Sequence, residues 1–276
     1  MNMKIALVVT CFNRREKTLQ CLSCFADAVK AFDIQYDIHL TDDGCTDGTA
    51  DAVLSLFPNA NIYKGKNLFW AGGTRLAWTH AISKGGYDYY LLLNDDTFVN
   101  NQLIPDLLEC DNLTGGNAII RGNLCDPDQT RSSYPLFRIK NRFCNRLEPV
   151  LATGKPEFVD LCGANIFWIP SKIVSSVGVF PNIYVHGIAD FDYCFRARKK
   201  GFKILGTSHN CGTCVLDHSQ LSSSILRKMT IAERWKYINS PKGHELKQLL
   251  YYQWSFFPWR VPFVFVREMI RVLLGV

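Results

Sequence analysis

Short apolar runs alternate with segments of helical period along the first 94 residues, and this alternation most constrains the fold. Residues 3–10 are mostly apolar and β-branched, and residues 87–94 carry no charge after Asp88; both segments have the length of a buried strand. Between them lie a helical pattern at 14–31 and a second strand candidate at 36–41. Strands that alternate with helices favour an α/β fold with a largely parallel sheet flanked by helices.

The rest of the chain is less regular. Further helices are predicted at 49–57, 71–84, 171–177 and 189–200, and further strands at 60–63 and within 158–170. The stretch 122–157 is rich in Asn, Asp, Pro, Arg and Ser and has no clean period. It therefore predicts a long loop or insertion.

Composition excludes several classes of protein. Of the 276 residues, 47% are apolar and 20% are charged, which is enough apolar material for a sizeable core and excludes wholesale disorder. No stretch approaches the roughly 18 consecutive apolar residues of a spanning helix, and the opening apolar run is too short for a secretory signal. Eleven irregularly spaced cysteines indicate reduced thiols and a cytoplasmic location.

The positive charge is concentrated at the C-terminal end. From Arg227 onward the chain has nine Lys/Arg and three Glu, so this segment holds the whole net charge of +6. The composition also changes there to basic and aromatic segments that are typical of helices. We predict a main domain at 1–221, called the catalytic part below, and a helical C-terminal extension at 222–276 that contacts a membrane, a substrate or another subunit.

Polar residues follow three of the predicted strands. Strand one ends in Thr10-Cys11-Phe12-Asn13-Arg14, strand two in Asp42-Asp43-Gly44 and the strand 87–94 in Asn94-Asp95-Asp96-Thr97. In open α/β sheets, ligands bind beyond the carboxyl ends of the strands. At least four carboxylates at one sheet edge would be costly without a cation, and their hard oxygens suit Mg²⁺ or Mn²⁺. Turns also favour Asp and Asn, so a purely structural role stays possible for each cluster.

These segments, in this order, resemble the motifs of family 2 glycosyltransferases. The similar segments are TCFNR (10–14), DDGCTDGT (42–49), NLFWAGGTRLAW (67–78), LLLNDDT (91–97) and IADFDYCFRARKKGFKI (188–204). The resemblance spans about residues 3–218 and implies the GT-A fold and inverting transfer. Within the family, the segments are most similar to the rhamnosyltransferase-like enzymes that assemble bacterial surface polysaccharides such as O-antigen or capsule.

The resemblance implies a nucleotide-sugar site. Asp42 would accept a hydrogen bond from a nucleobase N–H, which favours a UDP- or dTDP-sugar, and Arg75 would be available to phosphate. The residues implied to bind the donor are Thr10, Asn13, Arg14, Asp42, Asp43, Gly72, Gly73, Arg75, Asn94 and Asp95.

It also implies the catalytic groups. Asp190 occupies the position of the base, Asp96 is the second acid of the metal motif, and His218 would complete the shell of Mg²⁺ or Mn²⁺. Gly163, Ala164 and Asp192 are assigned to the acceptor side, although Asp192 could equally pair with Arg196 one helical turn on.

The sequence departs from the family pattern at two positions. Asn94 stands where the metal motif has its first acid, and Ala189 where a Glu usually precedes the base. Asp190 could also act only as a helix cap. At a helix N-terminus, the helix dipole would lower the pKa of Asp190, whereas the like charge of Asp192 would raise it.

Rival functions follow from the same features. A nucleotidyltransferase would share the sheet and the metal-binding acid, but its glycine-rich loop after strand one is absent. A degenerate transferase that only binds is suggested by Asn94 and Ala189. A zinc site at Cys21-x-x-Cys24 and Cys211-x-x-Cys214 is disfavoured because the two pairs lie about 187 residues apart, far from zinc-finger spacing.

The C-terminal extension favours a membrane over nucleic acid as its partner. Arg260, Arg267 and Arg271 fall on one face of a helix at 260–274, and aromatic and aliphatic residues occupy the other faces. This pattern is typical of a helix that lies in the headgroup plane of an anionic membrane. A peripheral position on the inner face of the plasma membrane would suit a lipid-linked glycan acceptor. The alternative is a pair of helices that merely packs on the catalytic part or forms a dimer interface in a homo-oligomer.

Overall fold

The computed structural model describes residues 3–216, 221, 223–243 and 245–275. Twelve strands are present in these ranges. They are β1 (Met3–Cys11), β2 (Ile34–Asp42), β3 (Asn61–Lys64), β4 (Tyr89–Leu93), β5 (Phe98–Val99), β6 (Ala118–Cys125), β7 (Ser132–Ser133), β8 (Leu136–Asn141), β9 (Arg146–Val150), β10 (Glu157–Val159), β11 (Ile166–Pro170) and β12 (Lys203–Thr213).

Ten helices and two short 3₁₀ turns accompany these strands in the described ranges. The helices are α1 (Arg15–Val29), α2 (Thr49–Leu56), α3 (Phe69–Lys84), α4 (Leu103–Thr114), α5 (Ser171–Val177), α6 (Ala189–Lys199), α7 (Ser223–Lys228), α8 (Ile231–Ile238), α9 (Leu246–Phe256) and α10 (Val261–Leu274). The 3₁₀ turns are Pro241–Gly243 and Pro258–Arg260.

A single large sheet carries the domain, with the strand order β10-β12-β6-β11-β4-β1-β2-β3. Strands β4, β1, β2 and β3 are parallel neighbours, and β12 runs parallel to β6. β11 is antiparallel to both β4 and β6 and joins the two parallel groups. The mostly parallel α/β sheet flanked by helices confirms the predicted fold class.

The side chains of β1 explain the layered core. Successive residues of a strand point to opposite faces of the sheet. Ala6 and Val8 accordingly pack with Trp78 of α3, whereas Ile5 and Leu7 pack in a second cluster that contains Phe25 of α1. Helices therefore cover both faces. The register also aligns the carboxyl ends, since Cys11 lies opposite Asp42.

The prediction of a loop at 122–157 was wrong over much of its length. Strand β6 runs fully buried through Cys125, and β8 and β9 form an antiparallel hairpin. The charge of Arg121 and the polar residues after it interrupt the apolar pattern of β6, so the sequence there predicts an irregular segment. In the structure the Arg121 side chain is fully buried, and its guanidinium donates to main-chain carbonyls, including that of Tyr134 at 2.9 Å.

The C-terminal extension shares its core with the catalytic part. Tyr252, Phe256 and Phe257 belong to the same buried cluster as Tyr193 and Phe195 of α6. The described helices include none with the length and apolar composition needed to cross a bilayer. The domain boundary at 221/222 stays a prediction, but removing the extension would expose this shared core.

We predict that Phe257→Ala destabilises the catalytic part, because it opens a cavity in the shared core. Phe257 is completely buried, and emptying such a site costs about 3–5 kcal/mol. Phe263→Ala, at an exposed position of the same extension, should change the free energy of unfolding by less than about 0.5 kcal/mol. Urea unfolding measures both variants, and equal losses would contradict the shared core.

Candidate active site

Arg14 brings the ends of β1 and β4 together. Its Nη1 lies 2.6 Å from Asp96 Oδ2 and 3.3 Å from Asp95 Oδ1. Burial and the like charge of Asp96 raise the pKa of Asp95 to about 7, although Arg14 opposes this shift. The other Asp95 oxygen, Oδ2, is buried without a hydrogen-bond partner in the described part of the chain. A carboxylate oxygen without a hydrogen-bond partner can ligate a cation or, when protonated, donate a hydrogen bond.

The acids after β2 are held by the chain itself. Asp42 Oδ2 accepts from Lys64 Nζ at 2.6 Å, and Oδ1 accepts from the Cys45 amide at 2.7 Å. Burial raises the pKa of Asp42, but these two hydrogen bonds outweigh burial and leave the pKa below its usual value. Both oxygens predicted to read a nucleobase therefore already have partners.

Asp43 shapes the loop before α3. Its two oxygens accept from the backbone N–H groups of Leu68 and Phe69, each at 2.8 Å. Phe69 has a φ of +56°, in the left-handed region that a bulky side chain rarely adopts. The Asp43 carboxylate offsets the cost of that backbone and fixes the start of α3 against the end of β2.

Asn94 has a different partner from the one its motif position implies. Its Oδ1 accepts from Trp70 Nε1 at 2.8 Å, and its backbone N–H donates to the Asn165 carbonyl at 3.1 Å. The Asn94 side chain therefore links β4 to α3, and its backbone N–H links β4 to the segment before β11. This second role explains how the chain can lack the first acid of the motif.

Gly73 permits α3 to approach the end of β1. A Cβ at this position would overlap the hydroxyl of Thr10. The Gly73 carbonyl also accepts from the Thr41 hydroxyl at 2.8 Å. Thr10, Asn13 and Gly73 thus lie at one sheet edge, where Asn13 Oδ1 accepts from the Thr46 amide at 2.7 Å.

Asp190 is joined to this edge through residues 163–165. Its Oδ2 accepts from the Ala164 amide at 3.3 Å, and the next residue, Asn165, holds Asn94. A Cβ on Gly163 would lie 3.6 Å from the same Asp190 oxygen. The predicted base, the predicted acceptor segment and the metal motif are therefore consecutive in space.

The environment of Asp190 favours a proton acceptor near neutral pH. Burial raises its pKa to about 6, while backbone N–H groups of Phe191 and Ala164 lower it. Helix α6 begins at Ala189, its N-cap is Ile188, and no side chain caps it. Asp190 therefore lies in the first turn, and capping does not account for it. Burial, which the sequence alone could not weigh against the helix dipole and Asp192, is the largest cause of the raised pKa.

Two predicted site residues have structural partners. Asp192 is buried, pairs with Arg196 and accepts from the Tyr184 hydroxyl at 3.0 Å, so the pairing alternative describes it better than the acceptor role. Arg75 Nη1 donates to the carbonyls of Pro181 and Tyr184, each at 3.0 Å. Gly72 lies beside Leu68 and the Arg75 guanidinium. His218 lies outside the described residues.

Arg121 is a site residue that the motifs did not reveal. Its guanidinium donates to the carbonyls of Gly122, Tyr134 and, at 3.4 Å, Gly163. Its positive charge also lowers the pKa of Asp190. A lone arginine inside the apolar run AIIRGNLC was the available signal, because an unpaired charge is rarely buried without a role.

The carboxylates fit one divalent cation only in part. Asp96 and the orphaned oxygen of Asp95 are hard ligands, and Mg²⁺ is commonly held by one or two carboxylates together with substrate phosphates. Within the described ranges, no group of three or more His, Cys, Asp or Glu side chains is arranged to hold a metal. The described residues supply two ligands, and a nucleotide diphosphate and water would complete their part of the shell.

Comparison with known proteins agrees with this geometry. Residues 6–122 match the family model described as glycosyl transferase family 2. No curated protein sequence matches the chain. The match covers β1 to the middle of β6 and includes the ends of β1, β2 and β4 with their acids.

The fold is similar to solved structures of S. aureus TarS. One TarS structure has a TM-score of 0.52 and 13% identity, and covers 92% of this chain. The chain spans only 44% of the length of that protein. TarS 1–349, alone and in complex with UDP-GlcNAc, gives a TM-score of 0.53 at 12% identity, with 92% of this chain and 73% of that chain covered. Residues 6–122 are thus similar to glycosyl transferase family 2, and the chain shares the GT-A type fold of the TarS structures.

Proposed function

Because residues 6–122 form a glycosyl transferase family 2 domain, we propose that the chain transfers a sugar from a UDP- or dTDP-sugar to a glycan hydroxyl with inversion. The observation that carries this proposal is the position of Asp190. The segment that binds its carboxylate, at Ala164, continues directly into the residue that holds Asn94. Base and metal motif therefore flank one stretch of backbone.

The reaction needs one base and one leaving group. Asp190 takes the proton of the acceptor hydroxyl as that oxygen forms its bond to the anomeric carbon. The bond from that carbon to the diphosphate oxygen breaks on the opposite side, and its electron pair leaves with the diphosphate. A single displacement inverts the anomeric centre, so no second nucleophile is required. The diphosphate would lie beside Asp95 and Asp96, and Arg14, which pairs with both, would supply positive charge to stabilise it there.

Asp95 and Asp96 would hold Mg²⁺ or Mn²⁺ in the proposed enzyme. When bound, the cation would stabilise the charge of the leaving diphosphate. Thr10, Asn13 and Gly73 would line the part of the site that binds the nucleotide. The close packing of Gly73 on Thr10 and the hydrogen bond from the Thr46 amide to Asn13 hold the backbone there. The UDP-GlcNAc complex of TarS supports a uridine nucleotide as donor, and thymine offers the same hydrogen-bonding edge.

The acceptor class is proposed from the sequence. A lipid-linked oligosaccharide in surface polysaccharide synthesis fits the rhamnosyltransferase-like resemblance. The net charge of +6 in the extension supports a cytoplasmic protein held peripherally on the anionic inner face of the plasma membrane.

We expect Asp190→Asn to lower turnover by about 10²–10⁴ because an amide cannot accept the proton. Donor binding should change little, since the side chain keeps its shape. For the wild type, kcat/KM should fall about tenfold per pH unit below the pKa of about 6, because protonated Asp190 cannot act as a base. Steady-state kinetics across pH measure both effects.

Arg198→Gln on the same helix is the control, because Arg198 pairs with Asp160 and should leave the acid limb unchanged. Turnover of the Asp190→Asn variant close to wild type would place the base elsewhere. A wild type that binds nucleotide sugar but never transfers it would instead favour the degenerate binding subunit.

The second prediction concerns the cation. Asp96→Ala should reduce turnover below about a tenth of wild type, because the loss of a bound metal costs several kcal/mol of transition-state stabilisation. Chelation of divalent cations should reduce wild-type turnover similarly, and Mn²⁺ should restore it. Asp128→Ala, at an exposed turn far along the chain, is the matched control. Full turnover of chelated wild type would exclude metal dependence.

A further inference from the structure

Helix α10 exposes an apolar face to solvent. Phe263 is 76% exposed, and Val266, Ile270 and Leu273 are exposed at the spacing of one helix face. The buried residues of the helix are Val264, Glu268 and Val272. A helix that packs on a protein in water normally buries its most apolar face. The exposed stripe therefore points to a partner that is itself apolar.

The arginines of α10 do not cover this stripe. Arg267 Nη2 lies 2.7 Å from Glu268 Oε1, and Arg271 Nη1 lies 3.4 Å from Glu268 Oε2. Glu268 is buried, and the Arg271 side chain is only 18% exposed. Both arginines thus pair with this buried carboxylate, Arg267 from an exposed position, and neither lies within the apolar stripe.

The β8–β9 hairpin adds to the same surface. Phe143, in the turn of the hairpin, is 74% exposed, and its ring stacks on Trp259 with a centroid distance of 6.1 Å. Trp259 Nε1 donates to the Phe143 carbonyl at 2.9 Å. The hairpin turn is therefore attached to the start of α10. We call these residues together the apolar patch: Phe143, Trp259, Phe263, Val266, Ile270 and Leu273.

The charges around the apolar patch are positive. The hairpin turn carries exposed Arg142 and Arg146, and residues 141–147 contain no acid. From 249 to 275 the only acid is Glu268, which is buried between its arginines. A second copy of this chain on a two-fold axis would bring these arginines against one another. An anionic surface with an apolar interior matches both the charge and the exposed rings.

We propose that the apolar patch docks on an anionic lipid bilayer, with α10 in the headgroup plane and the Phe143 turn as a second point of insertion. This proposal rests on the proposed lipid-linked acceptor. Because the hairpin and α10 are far apart in sequence, two separate elements would fix the orientation of the catalytic part above the membrane.

Vesicle sedimentation with the full-length chain tests the proposal. Vesicles of phosphatidylglycerol and phosphatidylcholine should pellet the wild type at low salt, and vesicles of phosphatidylcholine alone should bind it much more weakly. A variant with Phe263→Ser, Ile270→Ser and Leu273→Ser should bind the anionic vesicles at least roughly tenfold more weakly. Phe143→Ser alone should weaken binding by about threefold or more.

Leu56→Ser with Leu113→Ser is the matched control, because both leucines are exposed on helices of the catalytic part. Unchanged binding of the triple variant, or a wild type that forms dimers through the apolar patch and ignores vesicles, would overturn the proposal. Hydrolysis of nucleotide sugar without vesicles is measured in parallel. Its absence would count against the proposed function and not against the docking surface.

A second inference concerns Gln248 on α9, which is buried beside the loop before α6. Its Oε1 accepts from the Val185 amide at 2.9 Å, and its Nε2 donates to Glu245. The Val185 carbonyl in turn accepts from the amides of Ala71 and Gly72, at 3.0 and 3.3 Å. The backbone of Val185 thus connects the extension to the glycine segment of the predicted donor site.

The same loop leads directly to the base. Ile188, two residues before Asp190, has a φ of +70°, which is a strained conformation for a β-branched residue. Such a conformation persists only when its surroundings hold it. Gln248, Arg75 and the α3 amides hold the backbone of residues 181–185, and Asp192 accepts from the Tyr184 hydroxyl.

From this geometry we infer that Gln248 is a positioning residue for the proposed transfer. Gln248→Leu removes the acceptor of a buried amide and should lower kcat at least tenfold and raise the KM for the donor, per folded molecule. Gln248→Glu combined with Glu245→Gln keeps an acceptor for Val185 and a hydrogen bond to position 245. This exchange should recover most of the turnover.

Gln253→Leu is the matched control. Gln253 is buried on the same helix, and its Oε1 has no hydrogen-bond partner among the described residues. Its kcat and KM should stay within about twofold of wild type. Equal kinetic losses in both Leu variants, or no recovery in the exchange, would remove the positioning role. Hydrogen exchange at the Val185 amide should be faster in Gln248→Leu than in the wild type. This measurement tests the contact between Gln248 and Val185 even if the wild type shows no turnover.

Discussion

Negative charge at the carboxyl ends of β2 and β4 is the constraint on which the site depends. Parallel strands bring Asp42, Asp43, Asp95 and Asp96 to one edge, and each must find a positive or hydrogen-bonding partner. The chain provides Lys64 for Asp42, backbone amides for Asp43 and Arg14 for the pair after β4. One oxygen of Asp95 has no hydrogen-bond partner among the described residues, and it marks a position for a ligand or a group outside those ranges.

The sequence was sufficient for the features that repeat locally. Period and apolar runs located β1, β2, β4 and the helices between them. The motif order implied a GT-A type fold, which the TarS similarity confirms, and the family match over residues 6–122 agrees with the resemblance. The roles of Asp190, Asp96 and the donor residues stay predictions, although the structure brings most of them to one edge. The metal, the acceptor and the membrane are likewise untested.

Sequence reasoning failed where distant segments decide the outcome. Strand β6 was missed because the carbonyls that receive Arg121 come from residues around 134 and 163. The orientation of α10 depends on buried Glu268 and its arginines, and a helical projection does not show which face the protein will cover. The raised pKa of Asp190 comes from burial, a property of the folded chain, and not from neighbours along the helix.

The close approach of Gly73 to Thr10 has a consequence for the evolution of this fold. Because a Cβ at position 73 would overlap the hydroxyl of residue 10 and lie 3.0 Å from its Cβ, the two positions share one small volume. A homologue that gains a side chain at 73 must lose the one at 10, or α3 must move away from β1. The two positions should therefore covary across diverged relatives. Selection would act on the sum of their two side-chain volumes more than on the residue type at either position.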